Sequence, residues 1–495
     1  MLTSRRHFLR QAGLGTTLAA VSATPLRAAA PARVNSPAAG IPRHIIHLVA
    51  DGTSSGTLTI GDYFSRLVRG HGLRWLELYQ RRDTFQALVN MRSLNSVVTD
   101  SAAASTSWGS GSRVKNGALN VLPDGRELLP LCPLFAQAGW KRGLVTTTEI
   151  THATPAGFVA HAQRDNAESI AVQYLDRSIE VLLGGGSKFF AADKRKDKRD
   201  LLAAYRTAGY TVATSAAELA AAPLAPRLLG VFSESHLPYT LDHQADAKLR
   251  ARVPTLADMT RRALEKLGRE DRFLLQVEGG RVDHAAHAND IAAAVHELLA
   301  FDDALTACLE FQKREPETLL IITTDHGTAN AGLNSSGGSY GSKPPPFTNL
   351  RHARASFSEI ARRLGNDPTP GRIQRLVQET TGYKVPDAKA VFLASFFAKK
   401  GWALYDAMNS TSAQLGQLLG NYYGVGWTSG EHTADFVPLI ALGPGAARFH
   451  GFLQNTDVFH HYVALAGIDF RNPEVPLMVE CEPSATAAEA LAARV

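Results

Sequence analysis

Cysteine is scarce: three occur in 495 residues, Cys132, Cys308 and Cys481, all far apart. Such spacing makes neither a CxxC metal site nor a disulfide framework, so buried thiols are expected, at most one bridge, and at least one thiol unpaired. Long apolar runs are missing too. None approaches the roughly 18 residues that a membrane span requires. Charged residues are 20% and hydrophobic ones 45%, a balance that excludes a disordered chain, a collagen and a coiled coil. The chain is long enough for one large domain with insertions or for two.

A strong charge of one sign is also absent once its location is considered. The net charge is +6, but Arg5, Arg6, Arg10 and Arg27 fall in a segment with no acid, leaving 48 basic against 46 acidic residues. The one dense basic run, Lys194–Arg199, is interrupted by Asp197 and flanked by Asp193 and Asp200, as in a solvated loop. No basic stripe interleaved with aromatics suggests nucleic acid. Residues 1–30 instead resemble a twin-arginine signal: Ser4-Arg5-Arg6-His7-Phe8-Leu9-Arg10, an apolar stretch Ala12–Ala23, and Ala28-Ala29-Ala30 before Pro31. The expectation is export, cleavage and a periplasmic or secreted product from residue 31 onward.

Short apolar runs end repeatedly in polar residues. His44–Ala50 leads into Asp51-Gly52, Phe273–Val277 into Glu278-Gly279-Gly280, and Leu319–Thr324 into Asp325-His326-Gly327. Runs of this form predict buried parallel strands with a site along their carboxyl edge. Helical patterns at Leu256–Leu267 and Ile291–Phe311 alternate with them. The fold class expected is α/β, a three-layer sandwich around a large, mostly parallel sheet. Two stretches read as insertions into it: 186–250, mixing charge-rich and Ala/Pro-rich segments, and 333–425, opening with the Gly/Ser/Pro-rich Ser335–Pro346.

The polar strand ends carry the chemistry. Asp51, Asp325 and His326 bring carboxylates and an imidazole to one edge, the ligand mix of a catalytic zinc site. Asp283 and His287, four residues apart at a helix start, share a face and can share an ion. His432, in Gly430-Glu431-His432-Thr433, is a candidate third ligand. Ser101 precedes a run of small residues, Ala102–Ser112, at a predicted helix start, where backbone N–H groups favour negative charge. There it is either a nucleophile beside a metal or, like Asp100, a helix cap.

Five motifs then appear in the order found in the alkaline phosphatases: Thr99-Asp100-Ser101-Ala102-Ala103, Thr151-His152-Ala153-Thr154-Pro155-Ala156, Val277–His284, Thr324-Asp325-His326-Gly327 and Ser429-Gly430-Glu431-His432-Thr433. The chain resembles that family over roughly His44–Gly184, Asp271–Gly332 and Gly426–Phe470. The resemblance implies a metal-dependent phosphomonoesterase with Ser101 as the nucleophile that becomes phosphoserine. It implies one zinc held by Asp283, His287 and His432, and another by Asp51, Asp325 and His326 beside Ser101. A magnesium would use Asp51, Thr154 and Glu278. It also implies a homodimer acting on small phosphomonoesters.

The chain departs from some bacterial members at His152, where they carry an Asp, and at His284, where they carry a Lys; the His/His pair is similar to the vertebrate-type branch. His152 is therefore left out of the ligand set. Arg164 best matches the phosphate-clamping arginine, one residue closer to Thr154 than usual. The alternatives are a phosphodiesterase or nucleotide pyrophosphatase of the same superfamily, from which Thr154 and Glu278 distinguish the chain, and a non-catalytic exported protein that binds metal or phosphate. A sulfatase would need a Cys/Ser-x-Pro-x-Arg context, and Ser101 is followed by alanines.

Overall fold

The computed structural model describes residues 33–34, 40–225, 227–335, 346–366 and 368–478. The expected signal segment and Cys481 lie outside the described residues, as do residues 336–345 of the predicted Ser335–Pro346 loop. Cys132 and Cys308 are buried and unpaired.

Ten strands form the central sheet: β1 (His44–Val49), β2 (Thr84–Asn90), β3 (Lys141–Glu149), β4 (Val181–Gly185), β5 (Tyr210–Ala213), β6 (Arg227–Val231), β7 (Phe273–Glu278), β8 (Thr318–Thr323), β9 (Val437–Leu442) and β10 (Gly451–Gln454). Their order is β10-β2-β9-β8-β1-β7-β3-β4-β6-β5, and only β9 runs antiparallel to its neighbours. All six residues of β1, β7 and β8 are buried. That is the mark of strands covered on both faces, and it explains why each is dominated by apolar residues at successive positions with no alternation between apolar and charged ones.

Register brings these three strands to a common edge. His44 pairs with Phe273 on one side and Thr318 on the other, and Val49 with Glu278 and Thr323. Residues just beyond Val49, Glu278 and Thr323 therefore emerge side by side.

The helices that matter to the site are α1 (Ser55–Arg69), α2 (Ser101–Ser110), α3 (Leu256–Leu267), α4 (Arg281–His287) and α5 (Ile291–Arg314). Strand alternation divides the core in two. Ile46, Leu48, Leu275, Val277, Leu320 and Ile322 face the layer built by α1, α3 and α5. Ile45, Val49, Leu274, Leu319 and Ile321 face the layer that includes Ala102, Ala104 and Trp108 of α2. Each such side chain stabilises the fold by about 1.5–3 kcal/mol on leaving water, which pins the register because a one-residue slip would exchange the two faces.

The two stretches expected as insertions behave differently. Residues 186–250 supply β5 and β6, which extend the sheet, so this stretch is not separate from it. Its charged part, around Lys194–Arg199, is largely exposed and carries the surface pair Lys194–Glu234. Within 333–425, four helices (Phe357–Leu364, Pro370–Thr381, Asp387–Phe397 and Thr411–Tyr423) add Phe357, Ile360, Ile373, Leu393 and Leu415 to the α1/α3/α5 side of the core.

Candidate active site

The turn after β1 sets the first carboxylate. Asp51 is wholly buried, and the chain reverses at Gly52 with φ +70°. A Cβ on Gly52 would stand 2.6 Å from Asp283 Oδ1, so only glycine fits the conformation and the space. Gly52 N–H donates to Asp325 Oδ1 at 3.0 Å, as does His326 N–H, which orients the acid that follows β8.

Three groups of potential ligand atoms converge here, each within 4.8 Å: Asp51 with Asp325 and His326, Asp283 with His287 and His432, and Asp51 with Glu278 and His152. Asp51 belongs to two of them. His432 arrives through a short antiparallel pairing of Gly327–Thr328 with Thr433–His432. Its Nε2 lies 2.9 Å from His287 Nε2 and 3.6 Å from Asp283 Oδ1. On the far side of each ring, His287 Nδ1 donates to Gly430 O at 2.6 Å and His432 Nδ1 to Thr99 O at 2.9 Å. With Nδ1 engaged in this way, both Nε2 lone pairs are turned toward Asp283, the usual orienting device of metal-ligating histidines.

Asp51 Oδ1, Glu278 Oε1 and Asp325 Oδ2 are buried without a hydrogen-bond partner among the described residues. Buried carboxylate oxygens left bare are costly unless a cation meets them. Burial, reinforced by Asp325, Asp283 and Glu278, pushes the Asp51 carboxyl well above the ordinary carboxylate range. Burial acts in the same sense on Asp283, but the imidazoles of His287, His432 and His326 override it and hold that carboxyl below its ordinary value. In Asp325, too, burial is outweighed, chiefly by His326. Divalent cations would let all of these acids ionise together, so the donor set fits them.

Ser101 opens α2 and is buried. The capping role falls to Asp100, whose Oδ1 accepts from Ala103 N–H at 2.9 Å. The Ser101 hydroxyl is thus not used as a cap and lies 3.4 Å from His326 Nε2. Thr154 Oγ1 donates to Asp51 Oδ2 at 3.3 Å, and the Thr154 backbone carbonyl accepts from Ser105 Oγ of α2 at 2.5 Å. Arg164 sits beside the same helix start, with Nη1 donating to Asp100 Oδ2 at 2.9 Å and Nη2 to His152 Nε2 at 3.4 Å.

His152, left out of the sequence-derived ligand set, stands with Asp51 and Glu278 and has Nδ1 3.9 Å from Glu278 Oε1. A residue the sequence reading missed is His236. Its ring centroid lies 4.5 Å from that of His284 and 5.9 Å from that of His152. Burial, with His284 and His152 nearby, lowers the His236 pKa to about 2, so the ring is neutral. Its signal was the familiar one, a polar residue shortly after a strand, but β6 lay in the stretch set aside as an insertion. Thr146 and Thr148, whose hydroxyls donate to Glu278 Oε2, escaped notice for lack of any motif.

The sequence matches the family model for alkaline phosphatase over residues 42–468. Alkaline phosphatase 4 of Bacillus subtilis is 31% identical over 427 residues, covering 84% of this chain and 87% of that protein. The alkaline phosphatase of Escherichia coli is 30% identical over 471 residues, with 86% of each covered. The crystal structure of Thermus thermophilus alkaline phosphatase superposes with a TM-score of 0.83 at 34% identity, covering 92% of this chain and 96% of that one. With its mixed ten-stranded sheet and the acids and imidazoles gathered at its carboxyl edge, the chain belongs to the alkaline phosphatase family of phosphoric monoester hydrolases.

Proposed function

We propose that the chain hydrolyses phosphate monoesters by transferring the phosphoryl group to Ser101 and then to water. In this reading Asp283, His287 and His432 hold one zinc ion, and Asp51, Asp325 and His326 hold a second beside Ser101. Magnesium is held by Asp51, Thr154 and Glu278. The observation that carries the reading is the buried, non-capping Ser101 hydroxyl beside His326, whose Nε2 lies 3.6 Å from Asp51 Oδ1 and 3.2 Å from Asp325 Oδ2, carboxylate oxygens without a hydrogen-bond partner among the described residues. When bound, the ions supply charge neutralisation and lower the pKa of the attacking hydroxyl and, later, of water.

The protein's own groups do the positioning. A phosphomonoester dianion repels an incoming oxygen, so the barrier falls when charge is neutralised and attack is held in line. The first turn of α2 offers backbone N–H groups and the positive end of its dipole to the phosphoryl oxygens. Ser101 Oγ forms the new bond to phosphorus as the bond to the leaving oxygen breaks. Arg164, planar and two-pronged, grips two non-bridging oxygens in a way a lysine cannot. Asp100, at 2.9 Å, keeps that guanidinium beside the nucleophile and competes with phosphate for it. Water then attacks the phosphoserine from the side the leaving group vacated, which releases phosphate and restores Ser101.

A Ser101→Ala variant loaded with both metals tests the proposal. Its kcat for p-nitrophenyl phosphate is expected to fall at least about a thousandfold, and acid-quenched wild type should yield phosphate on the peptide containing Ser101. Wild-type turnover in the variant would refute the mechanism. Comparing a monoaryl with a bis-aryl phosphate separates it from the diesterase alternative. Export by the twin-arginine route and a homodimeric assembly complete the reading. They are supported by the N-terminal motif and by the family resemblance respectively, and are tested by cell fractionation and sedimentation.

A further inference from the structure

His287 and His432 reach the same point from separate segments, the end of α4 and the stretch that follows Ser429, and their Nε2 atoms stand 2.9 Å apart. One side chain joins these segments directly. Asn289, two residues beyond His287, is buried and takes a left-handed conformation, φ +53°. Its Nδ2 donates to the Ala286 carbonyl of α4 at 3.1 Å and to the Ser429 carbonyl of the other segment at 2.8 Å. The next carbonyl along, that of Gly430, accepts from His287 Nδ1 at 2.6 Å. Two successive peptide groups of the His432 segment are therefore gripped from the end of α4, one by Asn289 and one by a ligand ring.

The geometry selects the residue type. Two carbonyl oxygens need two N–H bonds from one atom, which a carboxamide supplies and a carboxylate or a hydroxyl does not. Asparagine is also among the few residues that enter the left-handed region readily. A Cβ on Gly416, in the helix Thr411–Tyr423, would stand 2.7 Å from Asn289 Cβ, so that helix packs directly against the asparagine. The turn Asp406–Met408 reaches the loop itself, where Gly430 N–H donates to Ala407 O at 3.1 Å. Both contacts come from 333–425, so the stretch that adds helices to the core also braces the loop carrying His432.

We propose that Asn289 is a positioning residue for the cation held by Asp283, His287 and His432: its hydrogen bond to Ser429 fixes the separation of the two imidazoles and so sets the affinity of that site. The inference rests on the ligand assignment made under the proposed function. Imidazoles already held at the right separation need not be ordered when an ion binds, and removing such a support weakens a metal site by about 10- to 100-fold. Asn289 donates to neither of the strand ends that supply Asp51, Glu278 and Asp325, so the ions on Asp51 are expected to stay.

Equilibrium dialysis of the mature enzyme over a series of buffered free-zinc concentrations at fixed magnesium, followed by elemental analysis, tests this. Asn289→Gly keeps the left-handed backbone and deletes the amide; one ion should then half-fill at a free-zinc concentration at least about tenfold higher than in wild type, the others filling as before. Asn289→Asp keeps the size and the backbone but turns an oxygen on the two carbonyls, and should lose at least as much. In both variants kcat for p-nitrophenyl phosphate should fall at limiting zinc and return to within about twofold of wild type at saturating zinc, a recovery that a damaged fold would not show. His432→Ala identifies the ion concerned. If it loses none, the ligand assignment fails and the inference with it; if it loses one while both Asn289 variants fill as wild type does, the inference alone is overturned. Equal losses at every site, or a kcat that saturating zinc does not restore, would also overturn it.

Discussion

Replacing Asp51 by Asn distinguishes the cation sites from one another. Asp51 belongs to the groupings with Asp325 and His326 and with Glu278 and His152, but not to that of Asp283, His287 and His432. A unit charge 4 Å from another is worth about 4 kcal/mol at an effective dielectric of about 20, and a divalent ion doubles this. Part is returned, because Asp51 is also repelled by Asp325, Asp283 and Glu278, the same repulsion that lifts its pKa. A net loss of about 4 kcal/mol at each site is about a thousandfold in affinity. Dialysis of the purified variant against buffered zinc and magnesium, followed by elemental analysis, should therefore find one ion per chain in place of three, with kcat/KM for p-nitrophenyl phosphate reduced at least a thousandfold. His432→Ala is the reciprocal case and should lose one ion and keep two. An Asp51→Asn protein that retained all three ions, or whose losses matched those of His432→Ala, would refute the shared-ligand reasoning.

Arg164→Lys keeps the charge but loses the fork, so KM for p-nitrophenyl phosphate should rise about tenfold in steady-state kinetics. An unchanged KM would remove Arg164 from the clamp. Asp290, buried at the N-cap of α5 three residues after His287, has its pKa raised by burial to about 7 although Ala293 and Phe357 N–H groups donate to it. A raised folded-state value means that the native state binds the extra proton, so this residue's contribution to stability falls as pH rises from about 4 to about 7 and is level above that. Asp290→Asn should flatten that part of the urea-stability profile, by at most about 4 kcal/mol for a shift of about three units. A chelator should lower the thermal midpoint, because free metal a thousandfold above its Kd contributes about 4 kcal/mol per site. Calorimetry that found no shift would mean the bare carboxylates are not cation ligands.

The sequence by itself determined the parts of the site whose geometry is local. Apolar runs in β1, β7 and β8 demand burial on both faces, and such strands pair in parallel, so the polar residues that follow them must emerge at one edge. Asp283 and His287 share a face because helical periodicity places residues four apart together. The spacing could not say which distant imidazole would join them. His432 reaches Asp283 only because Gly327–Thr328 pairs with Thr433–His432, and His236 meets His152 and His284 only because β6 belongs to the main sheet. That membership was hidden because 186–250 mixes charged and Ala/Pro-rich segments, and a five-residue strand has too few residues to announce its partner. The choice between Asp100 and Ser101 as the cap of α2 was likewise tertiary: Asp100 is held there by Gly117 N–H and Arg164 as well as by the helix. Local sequence decides which side chains share a face or an edge, whereas long-range pairing, paid in chain entropy and repaid by burial, decides which of them meet across the site.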